Sequence, residues 1–269
     1  MIPFALRRRM LASASGGISF SYTGNYSIEG NVLRLLTSGT LTIDRATTCD
    51  IFLVGGGGAG AARRTWSGTN SDMYFGGGAG GGGYTKTILS AFLKSGEHTV
   101  TIGDGGVVSS GNGGATSFDD YSANGGLGGV RAASSGSSTA HVGGDGGSGG
   151  GAGGVFVSPN SGSNYTKARG VGGTDGSNGG SSKNSSNTTI AGGTGQGTTT
   201  RAFGEEDGEL FATGGDGGDG GSTYEPQTKT ANTGDGGDGA RGYSSKAATA
   251  GASGIVLIRF AAGTKIEAA

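Results

Sequence analysis

The chain has 269 residues, 66 of them glycine and only 3 proline, with 14% charged residues and a formal net charge of -1. That glycine content lies far outside ordinary globular usage, and the near-neutral charge without an extended Lys/Arg stripe excludes a nucleic acid or anionic membrane held mainly by electrostatics. Cys49 is the sole cysteine, so an intrachain disulfide and a thiolate zinc site are excluded, and no apolar run reaches the roughly 20 residues of a membrane span.

Residues 1–15 place Pro3, Phe4, Leu6, Met10 and Leu11 around Arg7, Arg8 and Arg9. They read as a frayed tail, or as an attachment peg that orders on a larger assembly, with Pro3 suited to the first turn of a short helix. The arginines interrupt the apolar core that a secretory signal needs. Residues 16–269 read as a single domain.

From residue 18 the pattern turns to strands. Residues 18–22 and 32–36 are set apart by the turn-prone pairs Gly24-Asn25 and Gly30-Asn31, and Leu41 and Ile43 alternate with Thr40 and Thr42. Residues 50–54 read as a buried strand, 84–89 and 98–102 as alternating ones, and 255–260 as a strand apolar enough to need a central slot. These strands bracket a glycine-rich middle, so terminal strands are expected to pair across the sequence. The expected fold is all-β, with a jelly-roll-like β-sandwich base.

Glycine runs occupy 55–60, 76–83, 103–106, 111–114, 125–129, 143–154, 170–180, 192–197, 214–221 and 234–242. The clearest is 213–222, where Thr213, Asp216, Asp219 and Ser222 recur every third residue between pairs of glycines; Asp235, Asp238 and Arg241 repeat the spacing. A period of three matches neither a helix nor a strand but does match polyproline II geometry, which has no internal hydrogen bonds. Buried peptides must then find partners on neighbouring segments. The inter-strand connections are therefore expected to be polyglycine II helices packed as a lateral stack organised around 213–222, with Asp216, Asp219, Asp235 and Asp238 as solvated ridge residues. Collagen is excluded, because it needs one glycine per strict triplet with abundant proline; a flexible linker is the bland alternative. Residues 63–74, 156–169 and 224–233 read as loops at the ends of the stack.

Ile51-Phe-Leu-Val54 followed by a GxGxxG at 55–60 imitates a dinucleotide-binding turn, but Ser67-Gly68 cuts short the helix that should follow and no acidic residue closes a second strand. Residues 214–219 match the start of a calcium-binding nonapeptide, yet Gly221 stands where a large apolar residue belongs. His98 and His141 are the only histidines, His98 in a strand pattern that favours a structural role. No catalytic motif, metal site or cofactor site emerges.

The aromatics fall between the glycine runs, where side chains return. Arg63, Arg64, Trp66, Tyr74, Phe75, Phe156, Tyr165 and Tyr224 are the candidates for a recognition surface. The alternative for such aromatics is a role as plugs over the ends of the stack.

Ile51-Phe-Leu-Val-Gly-Gly-Gly-Gly-Ala-Gly60, the run at 76–84, His98-Thr-Val-Thr-Ile-Gly-Asp-Gly-Gly106, Gly113-Gly-Ala-Thr-Ser-Phe118 and Gly254-Ile-Val-Leu-Ile-Arg-Phe260 form an ordered series. It resembles the glycine-rich domain of tail-fibre and receptor-binding proteins of tailed bacteriophages. The resemblance implies a β-sandwich carrying polyglycine II helices, as in T-even-like fibre-tip adhesins and the glycine-rich region of the anaplastic lymphoma kinase receptor. It implies attachment to a bacterial surface receptor through variable loops, a place in the virion tail outside the cell, and contact with other virion proteins through residues 1–15. A homotrimer and a monomer on a trimeric fibre both fit. A structural fibre or spacer protein is the alternative; an ice-binding protein fits less well with so many aspartates, and an enzyme acting on surface glycans lacks paired carboxylates.

Overall fold

Alternating and β-branched segments form the strands, and glycine segments lie between them. A computed structural model describes residues 17–67, 72–108, 111–131, 142–157, 198–218, 225–243 and 246–269. The peg at 1–15, His141, Tyr165, Asp219, Tyr224 and the runs at 170–180 and 192–197 lie outside the described residues. The strands are β1 (Ile18–Tyr22), β2 (Tyr26–Glu29), β3 (Val32–Leu35), β4 (Gly39–Ile43), β5 (Thr47–Val54), β6 (Arg64–Ser67), β7 (Asp72–Phe75), β8 (Thr85–Leu93), β9 (Gly96–Thr101), β10 (Thr116–Phe118), β11 (Tyr121–Ala123), β12 (Val155–Val157), β13 (Ile255–Arg259) and β14 (Ile266–Ala268). Among the described residues the only helical element is a 3-10 turn at Ala202–Gly204. The fold is all-β.

The strands form three sheets, ordered β11-β10-β9-β4-β1-β14, β2-β3-β13-β5-β8 and β12-β7-β6, and every pair is antiparallel except β1 with β14. Ile18, Phe20, Leu41 and Ile43 of the first sheet share one core with Leu33, Leu35, Ile51, Leu53, Val256 and Ile258 of the second. Each of these side chains contributes about 1.5–3 kcal/mol by burial. The outer face of the second sheet, with Phe52, Val54, Ile255 and Leu257, is covered by Phe203 and Phe211 of the segment 198–212. Arg259 pins that segment, reaching Glu205 at 2.8 Å and Asp50 at 2.9 Å with its guanidinium 4.1 Å from the Phe203 ring centre. β13 is thus buried on both faces and lies between β3 and β5, the central slot its apolar sequence demands.

Several expectations change. β2 forms in a stretch read as a turn-flanked gap, since Tyr26 to Glu29 pair directly with β3. The stretch read as a loop from 63 to 74 contains two strands among its described residues: β6 and β7 pair there, Arg64 opposite Phe75 and Ser67 opposite Asp72. Strand pairing resumes at 64 because side chains return to a duplex whose alignment is already set. Val54 pairs with Thr85, Gly55 donates to the Tyr84 carbonyl, Gly58 to Gly81 and Ala61 to Gly78, and Arg64 then pairs with Phe75. No residue is gained or lost over this course, so β5, 55–61 and β6 make one long hairpin with β7, 76–84 and β8. The same continuity joins β5 and β13 to the bonds from Gly57 to Ala252 and Gly60 to Thr249, and β7 and β12 to those from Gly76 to Gly154 and Ala79 to Gly151.

Within 55–61 the peptide N–H groups point in three directions in turn. Gly55, Gly58 and Ala61 donate to 78–84, Gly56 and Ala59 to Gly114 and Gly111, and Gly57 and Gly60 to Ala252 and Thr249, all at 2.8 to 3.0 Å. The carbonyls of 55–61 accept from Gly126 and Gly129, from Gly237 and Ala240, and from Gly106. Segment 55–61 therefore has six neighbours, three as donor and three as acceptor. Segment 76–84 is surrounded in the same way, by 55–61, 124–127, 144–147, 148–154, 215–218 and 234–240. The centre of the stack is this pair and not 213–222, whose described part, 213–218, is one of the surrounding segments.

Close approach demands the glycines. A Cβ on Gly58 would stand 2.1 Å from the Leu127 carbonyl oxygen, and one on Gly217 2.1 Å from that of Ala152. At the rim, side chains replace backbone as partners: Asp235 Oδ1 accepts from the Thr213 N–H at 2.9 Å, and Asp238 Oδ1 from that of Asp216 at 2.9 Å. Asp238 also accepts from the Gln227 N–H at 2.8 Å and pairs with Lys229 at 2.5 Å. It is only 1% exposed, which corrects its reading as a solvated ridge residue, because 225–230 crosses over it.

Three expected outcomes follow from this packing. Gly58→Ala should lower the melting temperature by roughly 10 °C, the equivalent of about 3 kcal/mol in a chain of this size. Ser148→Ala should leave it unchanged or raise it, since the buried Ser148 hydroxyl has no partner among the described residues. Asp238→Ala should cost about 3–5 kcal/mol in denaturant unfolding by leaving Lys229 and two N–H groups without their carboxylate, whereas the exposed Asp207→Ala should stay within about 0.5 kcal/mol.

Candidate functional site

The long hairpin fixes where side chains gather. β5 leaves the base, 55–61 crosses the stack and β6 lies beyond it; β7 returns through 76–84 to β8. The three-stranded sheet β12-β7-β6 therefore sits at the end of the stack opposite the base. Six of the eight sequence candidates come together there: Arg63, Arg64, Trp66, Tyr74, Phe75 and Phe156. Thr65 stands opposite Tyr74, Tyr74 opposite Phe156, and Trp66 opposite Met73. Phe75 is 1% exposed and faces inward, so its side chain plugs the stack and offers no contact surface. Phe118 and Phe203 are buried likewise.

The turn out of 234–242 completes this end. Tyr243, 53% exposed, meets Tyr74 edge-on with ring centres 4.8 Å apart and planes at 73°. Arg63 Nη1 donates to the Gly242 carbonyl and Arg131 Nε to the Arg63 carbonyl, both at 3.2 Å. Glu225 takes Lys246 at 2.9 Å and Arg241 at 3.3 Å. The Lys246 ammonium hydrogen-bonded to Glu225, with the charge of Arg241 added, holds that carboxyl below its ordinary range. Sequence reading left Arg131, Arg241, Tyr243 and Lys246 out of the site. The available signal was that Arg131 and Tyr243 stand just after glycine runs and that Arg241 is the last side-chain position within one.

Away from this end, His98 and Cys49 are buried. His98 Nδ1 lies 2.6 Å from Asp119 Oδ2 and Nε2 2.9 Å from the Lys94 carbonyl, and the ring stacks on Phe118. Both ring nitrogens are thus engaged by neighbouring groups. Burial pushes the Cys49 thiol up to about 12, with the neighbouring Asp50 carboxylate adding to the shift. A cavity of about 260 Å³ at the junction of stack and base is lined, among the described residues, by Tyr84, Thr85, Thr87, Thr198 and Thr199 with no charged side chain. Among the described residues no cluster of three or more His, Cys, Asp or Glu is placed to hold a metal ion, and no helix is long and apolar enough to cross a membrane.

These features define a β-rich protein in which a hydrogen-bonded glycine stack separates a hydrophobic base from an aromatic and basic far end. Residues 36–261 match the family model of the glycine-rich domain, and the chain belongs to that family. No curated protein matches the sequence.

Cys49 gives a direct readout of the base. Its thiol should resist alkylation at pH 8 in the folded protein and react only through global opening, so labelling should slow by at least a thousandfold relative to the unfolded chain. Rapid labelling without unfolding would place β5 at a mobile edge.

Proposed function

We propose that the glycine segments are polyglycine II helices stacked on a β-sandwich, and that the chain is a bacteriophage tail-fibre or tail-tip receptor-binding protein that attaches to the host cell surface. The period of three in the hydrogen bonds of 55–61 and 76–84 supports the helical reading, because polyproline II geometry returns to the same neighbour every third residue. At its rise of ~3.1 Å per residue, Val54 and Arg64 stand about 30 Å apart. The all-β base supports the sandwich reading, since the two larger sheets share one core.

One observation carries the functional reading. Residues of recognition type that are separated in sequence, Arg63 to Trp66, Tyr74, Phe156 and Tyr243, are brought by strand pairing and the Tyr74–Tyr243 ring contact to one end of a frame that is otherwise backbone. Glycine ridges offer few distinguishing groups, so specificity resides at that end. The receptor in this reading is a protein or glycan of the bacterial outer surface. The protein is part of the virion tail, residues 1–15 join it to other virion proteins, and it has no catalytic chemistry of its own. A passive spacer is the second reading; the chemical variety of the far end disfavours it.

Adsorption of the purified protein to a panel of bacterial strains is the test. Arg64→Ala with Trp66→Ala should weaken binding to the responsive strain at least tenfold, since loss of ~1.4 kcal/mol already gives that factor, while the melting curve stays in place. Unchanged adsorption would move recognition elsewhere, and adsorption lost together with folding would make Trp66 a plug.

A further inference from the structure

The net charge of -1 conceals a separation of charge along the stack. Segments 17–54, 85–101, 116–123, 198–212 and 255–269, which build the base and its cover, contain eleven Asp and Glu against seven Lys and Arg. The described far end has Arg63, Arg64, Arg131, Arg241 and Lys246 against Asp72 and Glu225. Those five cations come from three separate stretches of chain and make no stripe in the sequence. The fold brings them to one end, where Arg131 touches Arg63, Arg63 touches Gly242 and Arg241 shares Glu225 with Lys246.

We infer that this end binds an acidic polysaccharide, a carboxylate-bearing glycan of the cell surface; the inference rests on the receptor-binding reading and specifies its partner. The exposed Arg131 offers a guanidinium suited to the fork geometry of a carboxylate and the exposed Lys246 a point charge beside it, while Arg241, buried against Glu225, adds only to the local potential. The exposed Tyr243, edge-on to Tyr74, supplies an aromatic ring beside them for the C–H face of a sugar. The acidic base repels the same polymer, so the protein meets it end-on, with its positive pole leading. A duplex nucleic acid fits less well, because it presents a long uniform line of phosphate and this basic area is confined to one end.

The experiment uses the full chain over immobilised polygalacturonate and, as the neutral reference, dextran, at 50 and 500 mM NaCl, roughly 14 and 4 Å in Debye length. Binding to polygalacturonate should fall at least tenfold at the higher salt, and dextran should retain nothing. Arg131→Glu with Lys246→Glu should weaken it at least tenfold at low salt, while Lys94→Glu with Lys265→Glu, on the base, should change it less than twofold. No binding to polygalacturonate, equal retention on dextran, or equal loss from the base variant would overturn the inference. Adsorption of the same variants to cells separates the two readings. If the far-end pair abolishes adsorption although polygalacturonate is never bound, the acidic glycan is wrong and the receptor site stands; if polygalacturonate binding behaves as expected but adsorption ignores the far-end pair, the glycan site stands and the receptor reading falls.

Discussion

Backbone hydrogen bonds between glycine segments, made in three directions from each chain, are the interaction on which this structure depends. In a sheet the peptide groups point to two neighbours and the two faces are left to side chains. Here the N–H groups of 55–61 reach three neighbours and its carbonyls three more, so the segment is enclosed by backbone on all sides. The arrangement satisfies buried peptides without an apolar face. It also forbids side chains at most central positions, since an added Cβ would fall near 2 Å from a carbonyl oxygen, as at Gly60 and Gly83.

Glycine loses more conformational freedom on folding than any other residue, and a net gain of about 1 kcal/mol per hydrogen bond offsets that poorly for an isolated segment. Alignment by the strands resolves the difficulty. β5 and β8 hold the two central segments in register at the base, β13 aligns a third, and β6 and β7 continue that register at the far end. The hydrophobic core of the base stabilises the ladders, and the ladders position the glycine segments so that each new bond orders few additional residues. A frame of this kind has almost no chemistry along its length. Side chains are excluded from its middle and return at its ends, which is why the aromatic and cationic residues collect where β6, β7 and β12 emerge.

Much of this was legible in the sequence, and the reasons for the rest are physical. The period of three was visible at 213–222 because Asp and Thr mark the phase there. The central segments 55–61 and 76–84 are nearly pure glycine, and a run without side chains carries no phase to read. The slot of β13 followed from its unbroken apolar sequence, whereas β6 and β7 are four residues each and owe their existence to alignment inherited from the glycine duplex. Asp238 has the sequence environment of a solvated ridge; its burial depends on the path of 225–230, which no local pattern encodes. The basic far end is likewise a product of topology, assembled from residues as distant as Arg63 and Lys246.

Amide hydrogen exchange along 55–61 and 76–84 tests the central claim most directly. If these segments are a hydrogen-bonded framework, each of their amides that donates to a neighbouring segment should be protected to nearly the same free energy as the amides of β5 and β13, with no residue exchanging as a loop. Protection confined to the strands, with the glycine amides exchanging at the rate of an unstructured chain, would contradict the account.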